Sequence, residues 1–157
     1  MVKPILDVSC GGRMMWFDKN HPNVVYADRR KETHKLSNGA TLVINPDVFC
    51  DFTKLPFASN SFYLVVFDPP HLRGVGKTGW MIKKYGSLDF DWKEVLRAGI
   101  NESMRVLKEH GTLIFKWNET HFRVSEVIAA IGRQPLFGHR TMVNNKTIWM
   151  TFMKGIS

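Results

Sequence analysis

The sequence predicts an α/β fold: a mostly parallel sheet that closes with an antiparallel C-terminal hairpin, with helices on both faces. Three observations predict it. Four short apolar runs, at residues 5–8, 23–28, 47–51 and 62–68, each carry an acid at or near the end. Segments of helical period separate the later runs. The last two runs, residues 136–140 and 147–153, are joined by a turn at Asn144-Asn145-Lys146.

Each element follows from its residues. Ile5-Leu6-Asp7-Val8 is a short strand that runs into Ser9-Cys10-Gly11-Gly12. Residues 23–28 form a second strand, closed by Asp28. The polar stretch 31–45 holds Ser37-Asn38-Gly39 before Ala40-Thr41-Leu42-Val43-Ile44, and an Asn-Gly between extended runs predicts a small hairpin. Residues 47–51 give a third short strand with Asp51 at its end. The continuous apolar run from Phe62 to Phe67 predicts a strand buried on both faces. It stops at Asp68-Pro69-Pro70-His71.

A helix follows from Asp91, with Glu94 three residues on in the form of a capping box. Val95, Leu96, Ile100, Met104 and Leu107 recur at helical spacing, and Gly111 predicts a left-handed stop. Residues 112–117 make a fifth strand. Residues 124–131 make a short helix closed by Gly132.

The 157 residues predict a single domain, residues 1–157. A formal net charge of +8 favours polyanionic partners, nucleic acid before anionic membrane. Cys10 and Cys50 are too few for a disulfide framework, which predicts a reduced, cytoplasmic setting. The six histidines and two cysteines lack ligand spacing, so no metal site is expected. No apolar stretch approaches the roughly 20 residues that span a bilayer.

In helix-covered parallel sheets, ligands sit at the carboxyl ends of the strands, where the strand order reverses. Asp7, Asp28, Asp51 and Asp68 all lie at predicted strand ends. An acid inside a sheet costs free energy unless paired, so four of them at strand ends predict one shared, wet ligand site.

These pieces, in this order, resemble the class I S-adenosylmethionine-dependent methyltransferases, whose sheet is Rossmann-like. The resemblance covers nearly the whole chain. It rests on the segment from Asp7 to Arg13, on Asp28, on the segment from Asp51 to Phe57, on Asp68-Pro69-Pro70-His71, and on the segment from Arg105 to Leu113. It implies S-adenosylmethionine as the cofactor. Asp7, Ser9, Cys10 and Gly11 would form the loop around its methionine part. Gly11 permits close backbone approach, while Ser9 and Arg13 stand where the family often has glycine. Asp28 would take both ribose hydroxyls, since a carboxylate accepts two hydrogen bonds at once. Asp51 would accept from the adenine amine, with Phe52 packed on the adenine face. Asp7 also reads as a cap of its own loop, Phe52 as core, and both cysteines as small buried fillers.

Asp68-Pro69-Pro70-His71 resembles the DPPY element of methyltransferases that act on an exocyclic amine of adenine or cytosine. An aromatic amine is a poor nucleophile because its lone pair is delocalised into the ring. The Asp68 carboxylate and the Pro69 carbonyl are two acceptors that would hold its protons and turn the lone pair toward the methyl. Pro69 and Pro70 fix the backbone and add no competing donor. The fourth position usually carries an aromatic ring that stacks on a flipped base. His71 departs from that pattern with a smaller planar ring.

The loop beyond holds Arg73, Lys77, Trp80, Lys83, Lys84 and Tyr85, and no acid before Asp89. Cations interleaved with aromatics suit a nucleic-acid backbone and unstacked bases, and four glycines suit a lid. Lys116-Trp117-Asn118-Glu119 closes the fifth strand on the same predicted edge and is expected to border the substrate side, where Trp117 reads equally as a base platform or as core. The chain has no length for a separate target-recognition domain, so either its sequence readout is short, or a partner subunit supplies it, or the target is structured RNA; nucleic acid is the expected partner in each case. The resemblance therefore implies methyl transfer to a nucleobase amine in DNA or RNA. Methyl transfer to a small molecule or protein, and a catalytically silent binding subunit, remain as alternatives.

Overall fold

The computed structural model describes residues 3–36, 38–71, 91–140 and 146–156. Its elements in chain order are β1 (Ile5–Asp7), β2 (Val24–Asp28), β3 (Glu32–Lys35), β4 (Thr41–Ile44), β5 (Val48–Phe49), β6 (Phe62–Phe67), α1 (Trp92–Val106), β7 (Leu107–Asn118), α2 (Val124–Ile131), β8 (Phe137–Arg140) and β9 (Thr147–Met153). Seven strands form one sheet in the order β5-β2-β1-β6-β7-β9-β8. The strands from β5 to β7 run parallel, and β9 runs antiparallel to both β7 and β8. This is the mostly parallel sheet with an antiparallel end that the sequence predicts.

β3 and β4 pair as the expected hairpin beside the sheet, with Gly39 at φ +80°. The strand order reverses at β1. β2 lies on one side of it and β6 on the other, which makes the carboxyl ends of β1 and β6 the switch point where such sheets bind ligands.

The main core lies between the sheet and the two helices. Leu6, Val65, Phe67, Leu113, Phe115 and Trp117 alternate along their strands with residues of the other face and are fully buried. They meet Trp92, Leu96, Ile100 and Met104 of α1 and Val127, Ala130 and Ile131 of α2 in one cluster. Gly99 lets α1 lie close. A Cβ there would stand 2.8 Å from ring atoms of both Phe52 and Phe67.

The opposite face is covered differently over β1 and β2. Cys10, Val24 and Tyr26 form a small cluster with Ile5 and Trp16, so the β1–β2 connection folds back as turns. Both described helices, α1 and α2, contribute to the main cluster.

Three local expectations change. Asp91 is the N-cap of α1 by position, but its side chain makes no capping hydrogen bond. α1 ends at Val106, and Leu107 already belongs to β7. His110, not Gly111, takes the positive φ, +60°. Gly111 serves close approach instead: a Cβ there would lie 2.8 Å from the Lys108 carbonyl and 3.1 Å from the Tyr63 carbonyl. It sits where the β6–β7 register shifts, and the regular ladder starts at Leu64 opposite Thr112. Gly132 does close α2 in the left-handed conformation. The turn at Asn144-Asn145 lies outside the described residues.

The stretch between β5 and β6 has no helix and draws its hydrogen bonds from α1. Arg105 donates to the carbonyls of Phe57 and Leu55, and Glu102 accepts from the Leu55 N–H at 2.8 Å while pairing with Arg105 at 2.7 Å. Backbone groups that a helix would satisfy internally are satisfied here by two side chains. No described helix is long and apolar enough to cross a membrane.

Candidate functional site

Asp7 is the last residue of β1. Alternation turns its side chain away from the helices, under the β1–β2 connection, where it is fully buried. Its Oδ2 accepts from the Trp16 indole N–H at 2.8 Å and its Oδ1 from the Ser9 N–H at 3.3 Å. Burial pushes the carboxyl up to about 7. The bonds from Trp16 and Ser9 oppose that rise, and the nearby Asp68 and Asp28 add to it.

The loop after β1 then turns sharply. Gly11 has φ +49°, a left-handed conformation that glycine adopts without a Cβ penalty. Its N–H donates to Asp28 Oδ2 at 2.8 Å. Asp28, 3% exposed at the end of β2, also accepts at Oδ1 from the Arg30 N–H at 2.9 Å and the Arg30 Nε at 3.2 Å. Cys10 is buried in the same loop. Burial, with Asp7 and Asp28 nearby, pushes its thiol well up, so it serves as a small wall and not as a nucleophile.

Asp68 follows β6 directly. Its backbone N–H donates to the Ser9 hydroxyl at 3.1 Å, and its Oδ2 accepts from Lys116 Nζ at 2.7 Å. Among the described residues its Oδ1 accepts no hydrogen bond. His71 bonds the backbone of Pro69, and a proline offers only its carbonyl. Burial lowers the His71 pKa, opposed by Asp68 and assisted by Lys116 and His121.

These groups border one cleft of about 210 Å³ at the switch point. One wall is Ser9, Cys10, Gly11 and Gly12; the other is Asp68, Pro69 and His71, with Asp7 beside both. A recess of about 30 Å³ adjoins it and brings in Asp28, Phe52 and Pro70, sharing Ser9 and Asp68 with the cleft. The structure thus brings together most of the residues the sequence singles out. Asp51 lines neither space: its Oδ1 is taken by the Thr53 N–H and hydroxyl at 2.8 and 2.7 Å, and Arg29 lies 4.0 Å away. Phe52 borders the recess but is 4% exposed and packs on Phe67 at 5.0 Å.

Trp117 requires a correction. It is fully buried, and its indole N–H donates to the Phe122 carbonyl at 3.0 Å. A base platform needs an exposed ring face, so the core reading holds. Among the described residues Trp117 meets the site through His71, edge to face at 6.3 Å between ring centroids. Arg73, Lys77, Trp80, Lys83, Lys84 and Tyr85 lie outside the described residues.

Three lining residues were not singled out by sequence, Met14, Met15 and Arg30, and Lys116, in the segment expected at the substrate side, lines the cleft with them. The signal for Arg30 is its place two residues after a strand-end acid. The signal for Lys116 is a lone cation between Phe115 and Trp117, which alternation sends to the other face. Among the described residues no three His, Cys, Asp or Glu side chains gather as a metal cage.

No protein-family model and no curated protein matches the chain. Solved structures do. The chain is similar to the PH0226 protein of Pyrococcus horikoshii OT3, with a TM-score of 0.59 and 13% identity over 96% of this chain and 81% of that one. It is similar to a SAM-dependent methyltransferase of Methanosarcina mazei, with a TM-score of 0.56 and 12% identity over 98% and 92%. It is also similar to the cyclase SpnF, with a TM-score of 0.55 and 12% identity over 98% and 74%. At these identities the likeness is one of fold. The chain has the Rossmann-like fold of the S-adenosylmethionine-dependent methyltransferases, and because a cyclase shares it, the reaction must be argued from the site.

Proposed function

We propose that the chain is an S-adenosylmethionine-dependent methyltransferase that methylates an exocyclic amino group of adenine or cytosine in DNA or RNA. One observation carries the reading. Asp68 stands at the strand-order reversal with Oδ1 accepting no hydrogen bond among the described residues, beside the Pro69 carbonyl and tied through its N–H to the loop after β1.

The site fits the cofactor on the chemistry of its side chains. Asp7, Asp28 and Asp68 gather around a small space, and three carboxyl groups suit a cationic ligand that also carries hydroxyls. Asp28, Ser9, Cys10 and Gly11 would hold it, with Asp7 behind the loop and Phe52 bordering the recess, while Asp51 lies outside both spaces. Bound S-adenosylmethionine supplies an electrophilic methyl on a sulfonium. Asp68 and the Pro69 carbonyl would accept hydrogen bonds from the two N–H groups of the target amine and turn its lone pair toward that methyl. The Asp68 carboxylate would also take the one proton that the amine sheds on methylation. Pro70 holds the backbone, and His71, kept neutral by burial, offers a planar ring to the base. Arg73, Lys77, Trp80, Lys83, Lys84 and Tyr85 would serve the nucleic acid, as the net charge of +8 suggests.

Transfer of labelled methyl to mixed DNA and RNA, followed by identification of the modified base, tests the reading. The expected result is an N-methylated adenine or cytosine, with Asp68→Ala slower by about a hundredfold or more. Transfer that survives in Asp68→Ala removes the mechanism. Failure to bind S-adenosylhomocysteine in calorimetry at millimolar ligand removes the cofactor.

A further inference from the structure

Lys116 is a charged group of the cleft that the roles above leave unused. β7 turns Leu113, Phe115 and Trp117 into the core, all fully buried, so the intervening Lys116 faces the other side of the sheet. There its Nζ meets Asp68 Oδ2 at 2.7 Å, with the two side chains 24% and 19% exposed. The same ammonium lies 5.6 Å from the ring centroid of Trp149, its cross-strand neighbour on β9. A short charge-assisted bond in a largely enclosed place is stronger and more directional than a surface ion pair.

The bond matters because a carboxylate at a strand end can rotate. Asp68 is held at three points. The chain fixes its Cα at the end of β6, Ser9 holds its N–H, and Lys116 holds Oδ2. Among the described residues Oδ1 accepts no hydrogen bond, and with Oδ2 held the carboxylate plane is fixed. Lys116 in turn is restrained from behind by the face of Trp149, which attracts the cation.

We propose that Lys116 is a positioning residue for amine methylation: by holding Oδ2 it sets the rotation of the Asp68 carboxylate, so that Oδ1 is the oxygen presented to the substrate amine. Lys116 acts through Asp68 and does not touch the substrate. The inference rests on the amine-methylating reading of the same site. It assigns the strand-end lysine of β7, absent from the resemblance that drew attention to Asp68, a part in the reaction.

Lys116→Met and Lys116→Arg test it, in the full chain, with labelled methyl transfer to the nucleic acid the wild type modifies. Misorientation of a reacting group costs up to about a hundredfold, so Lys116→Met is expected to lower kcat by about ten- to a hundredfold while the KM for nucleic acid and the affinity for S-adenosylhomocysteine change less than about threefold. Lys116→Arg, which keeps a charged donor, is expected to recover most of kcat. Unchanged kcat in Lys116→Met overturns the proposal. So does a loss confined to KM, which would make Lys116 a substrate contact, or an equal loss in both variants when both bind S-adenosylhomocysteine as the wild type does.

A readout without turnover separates this proposal from the reading beneath it. Crystal structures of wild type and Lys116→Met are expected to show Asp68 in one side-chain conformation and in two or more, respectively. One unchanged conformation in Lys116→Met overturns the positioning role even if methyl transfer is found. A wild type that transfers no methyl overturns the amine reading, and the role in catalysis with it.

Discussion

The Ser9 hydroxyl accepts the Asp68 backbone N–H at 3.1 Å, joining the loop after β1 to the loop after β6 across the cleft between them. Ser9 stands where the resemblance leads one to expect a glycine, and this bond is what the extra hydroxyl does. A neutral hydrogen bond contributes about 1 kcal/mol net. Ser9→Ala is therefore expected to lower methyl transfer about fivefold and Tm by about 2–4 °C. Affinity for S-adenosylhomocysteine, measured by calorimetry, should stay within about twofold, because the loop backbone keeps its bonds to Asp7 and Asp28. A cofactor loss as large as the rate loss would mean that the hydroxyl serves the cofactor directly.

Asp7 gives the ligand-free protein a distinct pH dependence. Its carboxyl, ordinarily at 3.8, lies at about 7 in the fold, with burial as the main cause. The folded state binds more protons than the unfolded one between those values, so this group's contribution to stability is full below 3.8 and is lost as pH rises through about 7. Asp7→Asn keeps an oxygen for the Trp16 N–H and does not titrate. Urea unfolding across that window is expected to show the wild type losing stability relative to the variant, on the order of 4 kcal/mol in all. A difference that stays flat with pH would mean that Asp7 is ionised in the folded protein throughout.

Gly99 marks where α1 meets the sheet most closely. Alanine there gains about 1 kcal/mol of helix propensity, but its Cβ would enter the contact space of Phe52 and Phe67. Overpacking typically costs about 1–3 kcal/mol. Gly99→Ala is expected to be destabilised by up to about 2 kcal/mol net on urea unfolding, with Asn101→Ala as a control at an exposed position of the same helix. Increased stability would show that the two rings can shift at little cost.

Arg105 and Glu102 replace a helix between β5 and β6, and the pair should behave as one device. The Arg105 hydrogen bonds hold the Glu102 carboxyl below its ordinary range, against the opposing effect of burial. A depressed carboxyl stabilises above its ordinary pKa of 4.5 and loses that contribution as pH falls. Arg105→Ala is expected to cost about 2 kcal/mol near neutrality, with the deficit shrinking in acid as the wild type also gives up the pair. Equal deficits at neutral and acid pH would locate the whole effect in the Arg105 carbonyl contacts.

Much of this was legible from residues alone, for identifiable reasons. Buried strands show themselves as apolar runs, so β6 and β9 fall where expected, and Gly132 ends α2 because nothing in the core competes with its left-handed turn. Gly111 misled because a glycine after a helical pattern reads as a stop. Here tertiary crowding by Tyr63 requires the missing side chain, and His110 supplies the positive φ. Asp7, Gly11, Asp28 and Asp68 stand out because acids and glycines at strand ends are conspicuous, and they meet at one cleft and its recess. Arg30 does not, since a cation near a strand end is ordinary until the opposing strand is in place, and for Lys116 the sequence places only its segment, not its bond to Asp68. Trp117 could be assigned only when the register of β7 fixed which face it took.

The turns that cover β1 and β2 are held by the Trp16–Asp7 bond, by exposed Arg13 bonds to Lys19, Asn20, Asn45 and Asp47, by the Tyr26 hydroxyl on the Asp18 carbonyl, and by a cluster of a few side chains. A helix opens cooperatively along its length, whereas a stretch of turns can open piece by piece. In hydrogen–deuterium exchange the amides of residues 11–23 should therefore label long before those of α1. The wall of the cleft that faces Asp68 would then be the least protected part of the molecule's interior, and ligand occupancy would appear first as slowed exchange in that stretch.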